Sequence, residues 1–186
     1  MTDHKDDYYI RQVLEGKTEA FAFLVEKYKD MVFTLSIKML KDREEAEEIT
    51  QDVFMISYRS LREFRGDSRF STWLYRIAYN KCLDVLKRKG RYVIVDYPDR
   101  LTGVPHEALN ALQQIVEKDR NEAVRQAVKL LPEDDRVLVW MYYFDEMSVK
   151  EIAKVVNLSE ANIKIKLFRS RKILYRLLEN NKLIRE

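Results

Sequence analysis

The sequence has little of what most enzymes and secreted proteins depend on. Its 186 residues include a single cysteine, Cys82, so no disulfide can form within the chain. There are only two histidines, His4 and His106. The sequence contains no metal-ligand spacing, phosphate-binding glycine loop or nucleophile motif. We therefore expect no catalytic site, no cofactor and no bound metal.

Helix breakers and long apolar stretches are also scarce. Four glycines and three prolines leave room for long helices. The longest apolar run, Val137 to Phe144, is far shorter than the roughly 20 residues that cross a bilayer. Residues 1–7 are polar and acidic, unlike a signal peptide. These features predict a folded cytoplasmic protein that does not insert into a membrane.

A net charge of +3 conceals a strong segregation of charge along the chain. Ten basic and three acidic side chains lie between Arg59 and Arg91, and ten basic and four acidic ones between Ser148 and Glu186. Between Lys41 and Asp52 the balance reverses, with six acidic and two basic side chains. The two basic segments predict a polyanion that is contacted at two places, and the acidic segment predicts a different, basic partner.

Apolar residues at helical spacing fill the first half of the chain. We predict a long helix capped by Thr18 and another that begins near Asp42 and carries the acidic residues. A loop over 64–71 separates these from a helix that runs from about Thr72 to Lys89, with Ser71 or Thr72 as its cap. The acidic residues could be imagined as a metal site, but a solvated or partner-binding helix face fits them better.

The segment from Gly90 to about Glu107 breaks this periodicity. It holds two of the four glycines and two of the three prolines, which is typical of a linker. Val93 to Val95 are compatible with a strand, but no pairing partner is evident. We predict an all-α fold with two small helical domains, 1–91 and 118–186, joined by a flexible linker over 92–117.

Residues 148–173 have the pattern of a helix-turn-helix. Ser148 and Glu151 form a capping box, and Asn157 tolerates the left-handed backbone that the turn requires. Ser159 can cap the second helix, which buries an apolar stripe and leaves its basic residues on other faces. The second helix of such a motif enters the DNA major groove. From these residues alone, a basic helical hairpin in an ordinary bundle is the alternative.

Four stretches, in order, make the chain resemble a bacterial sigma factor of the extracytoplasmic function (ECF) group of the sigma-70 family. They are AFAFLVEKYKDMVF, REEAEEITQDVFMISYRSL, FRGDSRFSTWLYRIAYNKCLDVLKR and LPEDDRVLVWMYYFDEMSVKEIAKVVNLSEANIKIKLFRSRKIL. The resemblance implies a non-enzymatic subunit that recognises the −35 and −10 promoter elements and helps to open the DNA. It also implies three partners: core RNA polymerase (the β′ clamp helices and the β flap), promoter DNA and an anti-sigma factor.

The resemblance assigns roles to residues of the first domain. The acidic helix matches the surface that binds core polymerase, with Glu48, Gln51, Asp52 and the apolar Phe54 as contacts. The loop matches the −10 specificity loop, which must hold an unstacked base with aromatic rings and hydrogen bonds. Its candidate contacts are Phe64, Arg65, Gly66, Asp67, Ser68, Arg69 and Phe70.

The two DNA-reading helices supply the other candidates. On the helix from about Thr72 to Lys89 these are Arg76, Asn80, Lys87 and Arg88, of which Asn80 can read a base edge and the basic residues hold phosphates. We expect Asp84, a characteristic family position, to orient a neighbouring arginine or to bridge to the loop. On the last helix the base or groove candidates are Glu160, Asn162, Lys164 and Lys166, and the phosphate candidates are Arg169, Arg171 and Lys172.

Two other function classes compete with this interpretation. A stand-alone regulator that binds duplex DNA as a dimer would need only the helix-turn-helix, and it leaves the acidic helix and the 64–71 loop without a role. A nucleic-acid enzyme would need a catalytic set, which the sequence lacks.

Overall fold

The computed structural model describes residues 4–90 and 122–180, and every regular element in these two ranges is helical. The described residues form two compact units, one built from the first range together with Lys154–Asn157 and the other from the rest of the second range. The predicted all-α class with two helical domains is confirmed. The predicted domain boundaries, the linker over 92–117 and the strand alternative at Val93 to Val95 lie outside the described residues.

Four α-helices build the N-terminal unit: α1 (His4–Leu14), α2 (Phe21–Leu40), α3 (Arg43–Arg59) and α4 (Phe70–Arg88). One-turn 3-10 helices at Thr18–Ala20 and Leu61–Glu63 precede α2 and follow α3. The helices α2, α3 and α4 pack against one another, and α1 packs against α2. No helix within the described ranges is both long enough and apolar enough to cross a membrane.

The apolar residues that recur at helical spacing in the first half of the sequence form the centre of this unit. Leu24, Val32 and Leu35 are buried, and so are Ala46 and Val53 on α3. Along each helix these side chains lie three, seven or eight residues apart, which is close to a whole number of turns, so each helix turns one apolar face towards the other two. The unit therefore leaves its polar faces available for contacts.

A buried carboxylate holds α1 in place. Asp6 is 2% exposed, and it accepts hydrogen bonds from the Lys27 ammonium at 2.6 Å and the Tyr28 hydroxyl at 2.5 Å. Burial, together with the hydrogen bond to Asp6, raises the pKa of Tyr28 to about 12. The hydroxyl therefore stays protonated and keeps donating to Asp6 at neutral pH.

Two helix starts differ from the predictions. Thr18 does not cap α2, because it opens the 3-10 turn that precedes this helix. The helix α4 begins at Phe70, earlier than Thr72, and neither Ser71 nor Thr72 caps it. The physical reason is burial: Phe70 and Thr72 are both in the core, which draws the first turn of the helix inward.

Four α-helices also build the C-terminal unit: α5 (Glu122–Lys129), α6 (Glu133–Tyr143), α7 (Val149–Val156) and α8 (Glu160–Asn180). The helix α8 packs against α5 and α6. Its predicted apolar stripe is buried as expected and consists of Ile163, Leu167, Ser170 and Leu174.

The local signals of the helix-turn-helix are confirmed. The Ser148 hydroxyl accepts the Glu151 N–H at 3.2 Å, and the Glu151 carboxylate accepts the Ser148 N–H at 2.9 Å, which is a reciprocal capping box. Asn157 has φ +56° in the turn. The Ser159 hydroxyl then accepts the Asn162 N–H at 3.2 Å and caps α8.

Candidate nucleic-acid interfaces

The loop between α3 and α4 rests on a cluster of aromatic rings. The ring centroids of Phe64, Phe70 and Trp73 lie 5.3 to 5.6 Å apart. Phe70 also contacts Tyr28 of α2, with centroids 5.7 Å apart. Tilted and edge-on contacts of this kind add to the stability that ring burial provides. The cluster therefore fixes both ends of the loop to the N-terminal core.

The residues between these rings are accessible. Gly66 has φ +74°, a backbone conformation that side chains rarely adopt. Arg65, Asp67 and Arg69 are exposed, whereas Phe64 and Ser68 are half-buried. The loop thus combines a partly accessible aromatic ring with charged and hydroxyl groups, which is the chemistry that an unstacked base requires.

Phe70 is the exception among the predicted loop contacts. It is the first residue of α4, and none of its side chain is exposed. A base cannot reach it without opening the core. The structure therefore corrects its predicted role: Phe70 supports the loop by packing against Phe64 and Trp73 and does not contact a base.

One face of α4 is polar and exposed from Arg76 to the end of the helix. Arg76, Asn80, Lys87 and Arg88 are all exposed on this face. Arg76, Asn80 and Arg88 are separated by four and eight residues, which aligns them in one row on the helix surface, and Lys87 lies at the edge of that row. None of the first six residues of α4 is exposed, so the row begins about 9 Å along the helix from the loop.

Asp84 lies in the same row and is exposed. Its carboxylate makes no hydrogen bond or ion pair with another side chain in the two described ranges, so the expected contact with an arginine or with the loop is not formed. Tyr75 and Tyr79 of α4 are buried. The accessible chemistry of α4 is therefore carried by its polar residues.

The accessible face of α3 is acidic with one apolar residue. Glu44, Glu48 and Gln51 are exposed, and Met55 is 50% exposed. Successive members of this set are four, three and four residues apart, so they form one stripe, which we call the α3 stripe. Asp52 pairs instead with Lys81 of α4, with Oδ2 and Nζ 2.8 Å apart.

The predicted apolar contact on α3 needs correction. Phe54 is 7% exposed and belongs to the core. Met55 supplies the accessible apolar surface in its place. The sequence contains the signal for this residue, because Met55 follows Gln51 by four positions and so lies on the same side of the helix.

The leading turns of α8 present Glu160, Asn162 and Lys164, which are all exposed. Lys166 is placed differently: its Nζ lies 3.4 Å from Oδ1 of the buried Asp135 on α6. The pKa of the Asp135 carboxyl is raised, because the effect of burial outweighs the opposing effect of the Lys166 charge. Lys166 therefore contributes to the packing of α6 against α8, while 35% of its side chain stays exposed and its position in the groove stays a prediction.

The remaining basic residues of α8 are less accessible than expected. Arg169, Arg171 and Lys172 are half-buried and interact with other groups of the protein, and the Lys172 ammonium lies 4.8 Å from the centroid of the Phe168 ring. Phe168 and Ile165 are 39% and 49% exposed. Sequence reasoning gave Phe168 no role, although its position opposite the buried stripe marks it as a surface residue.

Two family models match the two units of the chain. The model described as Sigma-70 region 2 matches residues 24–92, and the model described as Sigma-70, region 4, matches residues 121–174. The first match includes the α3 stripe, the loop and α4, and the second includes the helix-turn-helix. Both predicted DNA-reading elements therefore fall inside regions that are matched independently of each other.

Curated relatives are similar over nearly the whole chain. The RNA polymerase sigma-H factor of Pseudomonas aeruginosa is 31% identical, over 96% of this chain and 96% of the relative. The ECF RNA polymerase sigma factor SigW of Bacillus subtilis is also 31% identical, over 92% of this chain and 95% of the relative. The ECF RNA polymerase sigma-E factor of Escherichia coli is 29% identical, over 91% and 92%.

Two solved structures share the fold. The structure of CnrH in complex with the cytosolic domain of CnrY covers 95% of this chain and 98% of its own, with a TM-score of 0.66 and 21% identity. The sigma factor RpoE of Bartonella quintana, in complex with the anti-sigma factor NepR, covers 86% and 96%, with a TM-score of 0.62 and 18% identity.

Proposed function

Because the chain belongs to the ECF group of the sigma-70 family, we propose that its loop over 64–69 and the polar face of α4 read and open the −10 element, while α8 reads the −35 element. As an ECF sigma factor the protein is a subunit of RNA polymerase and not an enzyme. It binds core polymerase, recognises both promoter elements and promotes the strand opening that starts transcription.

One observation carries the proposal for the −10 element: the exposed row on α4 begins within two helical turns of the loop. Asn80 can form two hydrogen bonds with a base edge, particularly that of adenine. Arg76 and Arg88 pair with no other residue in 4–90 or 122–180, so they can hold phosphates. At the end of the row, the loop offers Phe64 to a base that has left the stack. Unstacking costs a few kcal/mol, and stacking on an aromatic ring returns about 1–3 kcal/mol per base.

We also propose that the α3 stripe binds core polymerase. Glu48 and Gln51 offer charge and hydrogen bonds to a basic partner, and Met55 adds the apolar area that exposed charges cannot provide. We assign this stripe to the β′ clamp helices, and the C-terminal unit to the β flap as well as to DNA.

An anti-sigma factor is the third proposed partner, and the cytoplasm is the proposed location. Two proteins with this fold were each solved in complex with a second protein, one of them named an anti-sigma factor. A factor that redirects polymerase must be held inactive until it is needed, and sequestering its DNA-binding faces is a direct way to do so.

Run-off transcription with purified core polymerase tests the proposed function. Core polymerase plus this chain should produce transcripts from a promoter with cognate −35 and −10 elements, whereas core polymerase alone should produce none. Tight binding of the isolated chain to a symmetric duplex site, without transcripts, would instead support a stand-alone regulator.

A further inference from the structure

The outward side of α8 carries a short apolar strip. Ile165 lies two residues after the buried Ile163 and two before the buried Leu167. Two residues turn an α-helix by about 200°, so the Ile165 side chain points away from the core and is 49% exposed. Ala161 and Phe168, four residues before it and three after it, are exposed as well. We call these three exposed residues the α8 strip.

The charges around the α8 strip indicate what it contacts. Between Glu160 and Glu179 the sequence has six basic side chains and no acidic one. The Lys172 ammonium lies 4.8 Å from the centroid of the Phe168 ring, which places a cation at one end of the strip. The strip is therefore an apolar surface within a cationic one, which suits a polyanion that also presents apolar groups. Duplex DNA is such a polyanion, and the C5 methyl of thymine is the apolar group that its base edges present in the major groove.

The α8 strip also lies beside a side chain that we expect to read a base. Asn162 is exposed and precedes Ile165 by three residues, so the two side chains are neighbours on the helix surface. Three residues span about 4.5 Å along the helix, and successive base pairs are about 3.4 Å apart. A helix that brings the Asn162 amide to one base edge therefore brings Ile165 to the next base pair or to the one after it.

Ile165 cannot satisfy a polar base edge. Its side chain neither donates nor accepts a hydrogen bond, so it would leave the groove atoms of guanine, cytosine or adenine without water or a partner, which costs free energy. Against the thymine methyl, the same side chain buries apolar surface on both molecules. Contact with Ile165 therefore favours thymine over the other three bases.

We propose that Ile165 reads the methyl group of one thymine in the −35 element, one or two base pairs from the base read by Asn162. Ala161 and Phe168 exclude water on either side of this contact. The inference rests on the proposed function, because it requires α8 to lie in the major groove. It adds a preference for thymine to a helix whose other candidate base contacts are polar.

Replacement of thymine by uracil tests this contact, because it removes only the methyl group. Polymerase holoenzyme containing the full chain is bound to a promoter that it transcribes, in which each −35 thymine on either strand is replaced in turn by uracil. The wild-type protein should lose affinity about 4-fold at one position, which corresponds to about 0.8 kcal/mol for one buried carbon at 1.4 kcal/mol per tenfold. In Ile165→Ser the loss at that position should disappear, whereas Ile165→Val should keep it.

Two matched controls accompany this measurement. In the protein, Leu130→Ser removes another exposed apolar side chain, which lies in the turn before α6 and outside the α8 strip, and it should keep the loss. In the DNA, cytosine at the sensitive position removes the methyl together with the thymine edge, and 5-methylcytosine restores the methyl alone. The wild-type protein should bind the 5-methylcytosine promoter about 4-fold more tightly than the cytosine promoter, and Ile165→Ser should bind both equally.

The outcomes separate this inference from the function on which it rests. If the wild-type holoenzyme binds equally well when the whole −35 element is scrambled, the proposed reading of that element by α8 fails. If scrambling weakens binding but no replacement of thymine by uracil does, or if Ile165→Ser keeps the loss at the same position, only the role of Ile165 is overturned. If Ile165→Ser keeps the uracil profile and instead binds core polymerase or another protein less tightly, the α8 strip is a protein contact, which also overturns the role of Ile165.

Discussion

At the residue scale, each of the two units exposes one asparagine on the helix that we propose reads DNA. Asn80 lies in the α4 row, and Asn162 lies in the first turns of α8. An asparagine amide both donates and accepts, so it can pair with an adenine edge and discriminate against other bases by about 1–3 kcal/mol. Because both side chains are exposed, replacing them should not disturb folding.

We predict that Asn80→Ala relaxes base preference at one −10 position by roughly 10-fold, while Asn162→Ala does so at one −35 position. Binding of holoenzyme to a panel of single-base promoter variants measures both effects. Each variant is the control for the other, and association with core polymerase should be unchanged in both. Equal losses on every promoter would show that these residues contribute only general affinity.

A second residue-scale prediction concerns the buried Asp6 carboxylate. Tyr28→Phe removes the hydroxyl that donates to it at 2.5 Å and should lower the free energy of unfolding of the N-terminal unit by about 1.5–3 kcal/mol. Urea unfolding followed by Trp73 fluorescence, in a Trp140→Phe background, reports on this unit. Tyr8→Phe, at an exposed tyrosine of α1, is the matched control and should have no effect.

The raised pKa of Tyr28 adds a pH dependence to the same measurement. An unfolded tyrosine loses its proton near pH 10, whereas Tyr28 keeps its proton to about pH 12. The unfolded state therefore binds fewer protons above pH 10, and the stability contributed by this hydroxyl is present below pH 10 and falls between pH 10 and 12. Tyr28→Phe should lose stability less steeply over this range than the wild-type protein.

At the element scale, α3 shows how one helix divides its acidic residues between folding and binding. Glu45 pairs with Lys89, which follows α4, and Asp52 pairs with Lys81 of α4, whereas Glu48 remains exposed on the α3 stripe. Composition alone does not separate these two groups, since all of them lie within one acidic run. Only the exposed group can contact polymerase without breaking an internal ion pair.

We therefore predict that Glu48→Lys weakens association with core polymerase at least several-fold, because it places a cation against a basic partner. Met55→Ala should weaken it as well by removing apolar contact area. Affinity for fluorescently labelled core enzyme measures both effects, with Glu26→Lys on α2 as the charge-matched control. Asp52→Asn should instead lower mainly the free energy of unfolding, because it breaks the ion pair with Lys81. If Glu26→Lys and Glu48→Lys weaken polymerase binding equally, the α3 stripe is not part of the interface.

At the scale of the whole molecule, two cationic units that hold one DNA should give promoter binding a steep salt dependence. The logarithm of the binding constant falls by about 0.9 per phosphate contact for each tenfold rise in salt. We predict that replacing Arg76 and Arg88 together by alanine lowers this slope by about 0.9 for each phosphate that the variant no longer neutralises. Filter binding of holoenzyme over a salt series measures it, and a slope equal to that of the wild-type protein would show that these residues do not contact phosphate.

Local sequence signals were reliable in the helix-turn-helix, although the caps predicted at Thr18 and at Ser71 or Thr72 do not form. The Ser148–Glu151 capping box, the left-handed Asn157 and the Ser159 cap all form as predicted, because each involves groups within four residues of one another. The predicted start of α4 was wrong, since the long-range burial of Phe70 in the core decides where that helix begins.

The candidate interfaces show the same difference between local and long-range interactions. Periodicity placed Asn80 and Arg76 on an exposed face and Ile163 in the core, because helical geometry alone determines which side chains share a face. It could not show that Lys166 is used to hold Asp135, because that partner lies 31 residues away.

The sequence by itself determined the helical class, the two basic regions, the helix-turn-helix and the family, since all of these depend on the order and spacing of residues along the chain. The tertiary structure decided which members of each region reach the surface. It buried Phe54 and Phe70 and left Met55 exposed. The reason is that exposure depends on packing between helices that are distant in sequence, and no local pattern specifies those contacts.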